Sequence, residues 1–190
     1  IAQSLSAFKT SGVNQCLFLD YEITNNNPYS IDTLRMGLYT DWDIVEINHN
    51  KANYDFNYRL AYAFHPESQI YAGIALLSPQ HAVYQSIPLY DAQNNFIFGN
   101  TISEEEKLSL LFKDDERLET GPANIATTLT AIQYNLEAQE KATISYAITA
   151  GKSLEELQKN ISKALLIKEP FTHLPPISFC PEEDVLINPG

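Results

Sequence analysis

The chain is poor in the residues from which most chemistry-bearing motifs are built. It has two cysteines, Cys16 and Cys180, far apart and in neither a Cys-x-x-Cys nor a zinc-ligand spacing. That removes thioredoxin-like redox chemistry and cysteine-based zinc modules. A disulfide between the two stays open, as does a partner for Cys180 beyond Gly190. Seven glycines supply no Gly-rich phosphate loop, and no Gly-x-Ser-x-Gly nucleophile elbow occurs. The four histidines, His49, His65, His81 and His173, are scattered without metal-ligand spacing. Positive charge is scarce as well: 12 Lys and Arg stand against 24 Asp and Glu, for a net charge of −12. A surface of that sign repels nucleic acid and anionic membranes; cations and neutral polymers stay open as partners, and solubility alone accounts for the charge equally well. No apolar run approaches the ~20 residues that span a bilayer. No basic segment followed by an apolar one opens the chain, and Ile1 enters mid-pattern, which reads as an internal starting point.

What is present is alternation. Leu17, Leu19, Tyr21 and Ile23 fall on one face of a strand, with Phe18, Asp20 and Glu22 on the other, and the run stops at Asn25-Asn26-Asn27-Pro28. Leu34, Met36 and Leu38 alternate up to Asp41; Leu60, Tyr62 and Phe64 alternate up to His65-Pro66. Residues 71–77 read as a nearly continuous apolar strand, and 82–89 and 95–98 as two shorter ones. Residues 128–135 and 141–150 read as a strand pair around a Glu137-Ala138-Gln139 turn, with Ile144, Tyr146 and Ile148 inward. Two capping boxes announce helices: Ser103 with Glu106 before Leu108, Leu111 and Phe112, and Ser153 with Glu156 before Leu157, Ile161 and Leu165. Both apolar stripes read as packing faces. The pattern predicts a mainly β chain, an antiparallel β-sandwich with two short helices over residues 1–169. A Pro-rich linker is expected over 170–176, and 177–190 reads as the first strand of a following module.

The candidate site is acidic. Asp41 and Asp43 stand at i, i+2 near a strand end, so both face one side, and Asn48, Asn50 and Asp55 follow within fifteen residues. Five oxygen-bearing side chains in one corner are the beginnings of a Ca²⁺ shell, which needs 6–8 oxygens and would draw the rest from carbonyls and water. The alternative is a hydrogen-bonded corner in which Asp41 or Asp43 accepts loop N–H groups or pairs with Arg35 or Arg59. Hydrolase chemistry at Asp41 and Asp43 would need a second acid across a bond at ~5–9 Å, usually from another strand. Trp42, Tyr54, Tyr58, Tyr62, Tyr84 and Tyr90 are the aromatics that a glycan-binding surface would use, or that a sandwich core would bury. Asn160-Ile161-Ser162 fits the N-linked sequon but falls within the second helix, which favours a helical role.

The stretch Phe18-Leu19-Asp20-Tyr21-Glu22-Ile23-Thr24-Asn25, followed by Gly37-Leu38-Tyr39-Thr40-Asp41-Trp42-Asp43-Ile44, resembles a recurring module of bacterial surface proteins. There a "YxITN" strand leads to a "GLxxDWDI" strand. The order continues with stretches similar to residues 50–55, 71–77, 103–111, 142–150 and 153–164. Val45 stands where that module often has Gly, and Glu137-Ala138-Gln139-Glu140 where it usually has Pro-Gly. Such modules lie downstream of subtilisin-like protease domains in proteins exported by type IX secretion. The segment 177–190 is similar to the opening of the immunoglobulin-like repeats that often follow, and Asp32-Thr33-Leu34 resembles the O-glycosylation motif of such bacteria. The resemblance implies an extracellular or outer-surface, non-catalytic accessory module and no enzyme. Its partners would be neighbouring domains of the same chain, with a carbohydrate-binding module as the alternative. The chain is expected to fold alone as a monomer.

Overall fold

A computed structural model of the chain describes residues 1–9, 13–91, 93, 95–97, 102–112 and 119–168. The expected linker and following module, and Cys180 with them, lie outside these residues. Ten strands run in the order β1 (Ala2–Ala7), β2 (Cys16–Thr24), β3 (Ile31–Trp42), β4 (Asn50–Asp55), β5 (Leu60–His65), β6 (Ile70–Ser78), β7 (His81–Pro88), β8 (Glu119–Ala123), β9 (Ile125–Leu136) and β10 (Lys141–Gly151). Helix α1 (Glu104–Phe112) lies between β7 and β8, and α2 (Leu154–Lys168) follows β10. The strands form a seven-stranded sheet in the order β1-β2-β10-β6-β5-β4-β8 and a three-stranded sheet in the order β3-β9-β7. The expected mainly β sandwich with two helices is the observed architecture. Among the described residues, no helix is long and apolar enough to cross a membrane.

Alternation explains the layers. Ile74, Leu76, Ile144 and Tyr146 of the large sheet meet Trp42, Tyr84, Ile125 and Leu129 of the small one in a single apolar cluster. Tyr146 is wholly buried and donates its hydroxyl to the Met36 carbonyl at 2.8 Å, a hydrogen bond from one sheet to the other. Burial pushes its pKa far up, so the phenol stays a donor. The opposite face of the large sheet carries Phe18, Leu60, Tyr62, Ala75, Leu77 and Ala147, which pack against Leu157, Ile161 and Ala164 of α2. Burying each of the larger side chains contributes about 1.5–3 kcal/mol. Lys168 at the end of α2 reaches Asp20 of β2 at 2.6 Å and fixes the helix to the sheet. Helix α1 lies over the outer face of the small sheet, where an added Cβ on Gly37 would stand 2.7 Å from Leu111 Cδ2. Gly37 is therefore what lets α1 come this close. The molecule is layered helix, sheet, sheet, helix.

Three expectations need correction. β9 and β10 are not a hydrogen-bonded pair: β9 joins β3 and β7, whereas β10 joins β2 and β6, so the Glu137–Glu140 turn crosses from one sheet to the other. Asn25 holds that crossing, donating Nδ2 to the Tyr29, Leu136 and Glu137 carbonyls at 2.9–3.0 Å. In α1 the buried residue is Leu110; of the expected stripe only Leu111 comes down onto the sheet at Gly37, while Leu108 and Phe112 are 55% and 62% exposed. Finally, residues 50–55 form strand β4, and residues 95–97 form only a bridge at Phe96 to Tyr90.

Candidate functional site

The end of β3 and the loop behind it form the acidic corner. Trp42 turns into the core and donates Nε1–H to Thr127 Oγ1 at 2.8 Å. Alternation then sends Asp41 to the outer face, beside Tyr39. Asp43 stands close enough for its charge to act on Asp41. The Asp41 carboxyl titrates above its ordinary range, first because its surroundings strip water and then because Asp43 adds like charge; the Trp42 N–H pulls the other way. The 43–49 loop, with a 3-10 turn over Ile47–His49, returns to the sheet at Asn50. Asn50 is fully buried and donates Nδ2 to the Trp42 carbonyl at 2.9 Å and the Ile47 carbonyl at 3.3 Å. Its side chain closes the loop rather than pointing out toward the carboxylates' solvent face.

The five predicted ligands do not share one place. Asp41 and Asp43 sit together, and Asn48 is exposed in the 3-10 turn. Asp55 stands five residues along β4, roughly 16 Å from Asn50 at ~3.3 Å per residue. It lies on the side of the large sheet that meets α2: Oδ1 accepts the Asn57 N–H at 2.9 Å, and Oδ2 accepts Gln158 Nε2–H of α2 at 2.7 Å. A strand, not a loop, follows Asn50, and that carries Asp55 away. Arg35 donates to the Leu111 carbonyl at 3.2 Å and lies over the Phe112 ring; Arg59 donates to the Leu76 and Leu77 carbonyls.

A second cluster, absent from the reading of the sequence, lies at the other side of Asn50. His49 ends the 3-10 turn and bonds Glu46 through Nδ1 and Oε2 at 2.9 Å. His65 ends β5, which runs antiparallel to β4 with Phe64 opposite Lys51. The hairpin therefore brings His65 back beside the start of β4. The rings of His49 and His65 stand 6.0 Å apart, and one donor atom each from Glu46, His49 and His65 lie within 4.8 Å of one another. A separation of sixteen residues between two histidines carries no signal by itself; only the β4–β5 pairing could have found it.

The other candidates are largely absorbed by packing. Trp42, Tyr54, Tyr62 and Tyr84 are buried, with Tyr54 and Tyr84 stacked 4.9 Å apart, while Tyr58 is half-buried and Tyr90 exposed. Asn160 of the sequon is 5% exposed and donates Nδ2 to Thr149 Oγ1 at 3.0 Å, so its amide is not presented for glycosylation. Thr33 lies exposed on edge strand β3. Cys16 carries a free, buried thiol against α2; burial pushes its pKa up, opposed by its hydrogen bond with Thr149, and an unionised thiol is a poor nucleophile. No known protein family matches the sequence, and no curated protein matches it either.

Proposed function

We propose that the chain is a non-catalytic accessory module of a larger secreted or surface protein, a rigid piece that positions neighbouring domains of the same chain. The observation that carries this reading is the use to which the aromatic residues are put. Four of the six that a sugar-binding platform would need are spent in the two apolar clusters. The two carboxylates that a hydrolase would need come from one strand end, whereas a glycosidase places its acids on either side of the bond. The "YxITN" and "GLxxDWDI" segments add support of another kind: Asn25 and Trp42 both act as structural staples. They also favour a position downstream of a subtilisin-like protease domain, on the outside of the cell.

The test is direct. Purified chain is expected to show no protease, esterase or glycosidase turnover above background and no retention on a glycan array. Turnover lost in Asp41→Asn or Asp43→Asn would replace this reading with a hydrolase. Retention lost in Tyr90→Ala would replace it with a carbohydrate-binding module.

A further inference from the structure

We propose that Glu46, His49 and His65 bind a divalent transition-metal ion of the zinc class, a site independent of the accessory role. The first observation is the donor set itself: two imidazoles and one carboxylate whose donor atoms lie within 4.8 Å of one another. Nitrogen-rich sets of this kind suit Zn²⁺, Co²⁺, Ni²⁺ or Cu²⁺, whereas Ca²⁺ and Mg²⁺ take oxygen shells. Zn–N and Zn–O bonds of ~2.0–2.2 Å place tetrahedral ligands about 3.4 Å apart. The most separated donors must close by about 1.4 Å, and the mobile partners are the right ones. His49 and Glu46 are 60% and 66% exposed at the side chain, so rotamer changes there disturb no packing.

The second observation is independent of the first. His65 is 5% exposed, and its Nε2 is buried with no hydrogen-bond partner among the described residues. A buried polar atom in that condition is costly unless something bonds it. Its Nδ1 accepts the Glu67 N–H at 3.3 Å, a long contact. Moving the ring proton from Nε2 to Nδ1 breaks that contact and sets Nδ1–H against the Glu67 N–H, a cost the metal bond offsets, and turns Nε2 into a ligand. The ring lines a cavity of ≈ 250 Å³ together with His49, Pro66, Glu67 and Pro122. Three protein ligands leave a fourth position for water or for the Glu67 carboxylate that borders the same cavity. A metal here ties the 43–49 loop to the end of β5.

Titration of the tag-free 190-residue chain with Zn²⁺, followed calorimetrically and by thermal melts, tests this. One Zn²⁺ per chain is expected, with a raised melting temperature, and Co²⁺ should develop the visible absorption of a four-coordinate site. Loss of an outer-shell partner alone weakens metal sites 10–100-fold, so His49→Ala, at an exposed position that leaves the fold intact, should weaken Zn²⁺ by about 100-fold or more. Glu46→Gln should weaken it as well, and His81→Ala should leave it unchanged. The proposal is overturned by the absence of saturable 1:1 binding, or by an affinity that both His49→Ala and Glu46→Gln leave intact. Displacement of Zn²⁺ by equimolar Ca²⁺ would also overturn it.

Discussion

Under α2 the large sheet presents Phe18, Leu60, Tyr62, Ala75 and Leu77; under α1 the small sheet presents Arg35, Gly37, Gln85, Thr128 and Thr130. Both surfaces are roofed by a helix with a sound N-terminal cap. Ser103 and Glu106 bond each other's backbone N–H in α1, and Ser153 accepts the Glu156 N–H in α2. Local signals therefore start both helices equally well. What differs is the floor. Beneath α2, even the polar groups are paired: Thr149 donates to the Gln15 carbonyl at 3.0 Å and accepts from Asn160. Beneath α1, Arg35 Nε, Gln85 Oε1, Thr128 Oγ1 and Thr130 Oγ1 are buried with no partner among the described residues. Capping decides where a helix begins, and the surface below decides how much it stabilises.

The largest expected effect separates the two helices directly. Ile161→Ala, at a fully buried site, should lower the unfolding free energy by about 3 kcal/mol. Leu108→Ala, more than half exposed, should stay within about 0.5 kcal/mol. Urea denaturation measures both, and equal losses would break the comparison. A smaller effect sharpens it by changing sign. Thr149→Val strands the Asn160 amide and the Gln15 carbonyl and should cost about 2 kcal/mol, whereas Thr130→Val removes an unpaired buried hydroxyl and should stabilise by about 1 kcal/mol. Destabilisation by Thr130→Val would mean that the polar floor under α1 is a satisfied network.

The smallest effect is electrostatic and also belongs to the outer face of the small sheet. The Asp41 pKa is raised in the folded chain, so the stability this carboxyl contributes is fully present below its unfolded pKa and is lost as pH rises through the folded one. Asp41→Asn should accordingly raise the melting temperature slightly at pH 7, and that gain should vanish below about pH 3. Asp41 is exposed, so solvent screening keeps the shift to a degree or two. A gain that persists at low pH would point to packing rather than charge.

Period-2 alternation and turn residues are local properties, and they made β2, β3, β5 and β6, the sandwich class and both helix starts legible in the sequence. The stripe of α2 was equally plain, because Leu157 and Ile161 lie one turn apart and both are buried. Which strands pair is a different matter. An alternating strand looks the same whether it joins the strand before it or one across the molecule, so the β9–β10 turn read as a hairpin when it is a crossing between sheets. The same limit governed the candidate sites. Nearness in sequence grouped Asp55 with Asp41, and the rise of β4 separated them. Distance in sequence kept His65 from His49, and the antiparallel return of β5 beside β4 brought them together. The sequence by itself determined which residues face inward along each element, because side-chain direction follows from backbone geometry. Only the tertiary structure decided which side chains meet, because sheet pairing is set by the burial of whole faces, a choice that no single segment contains.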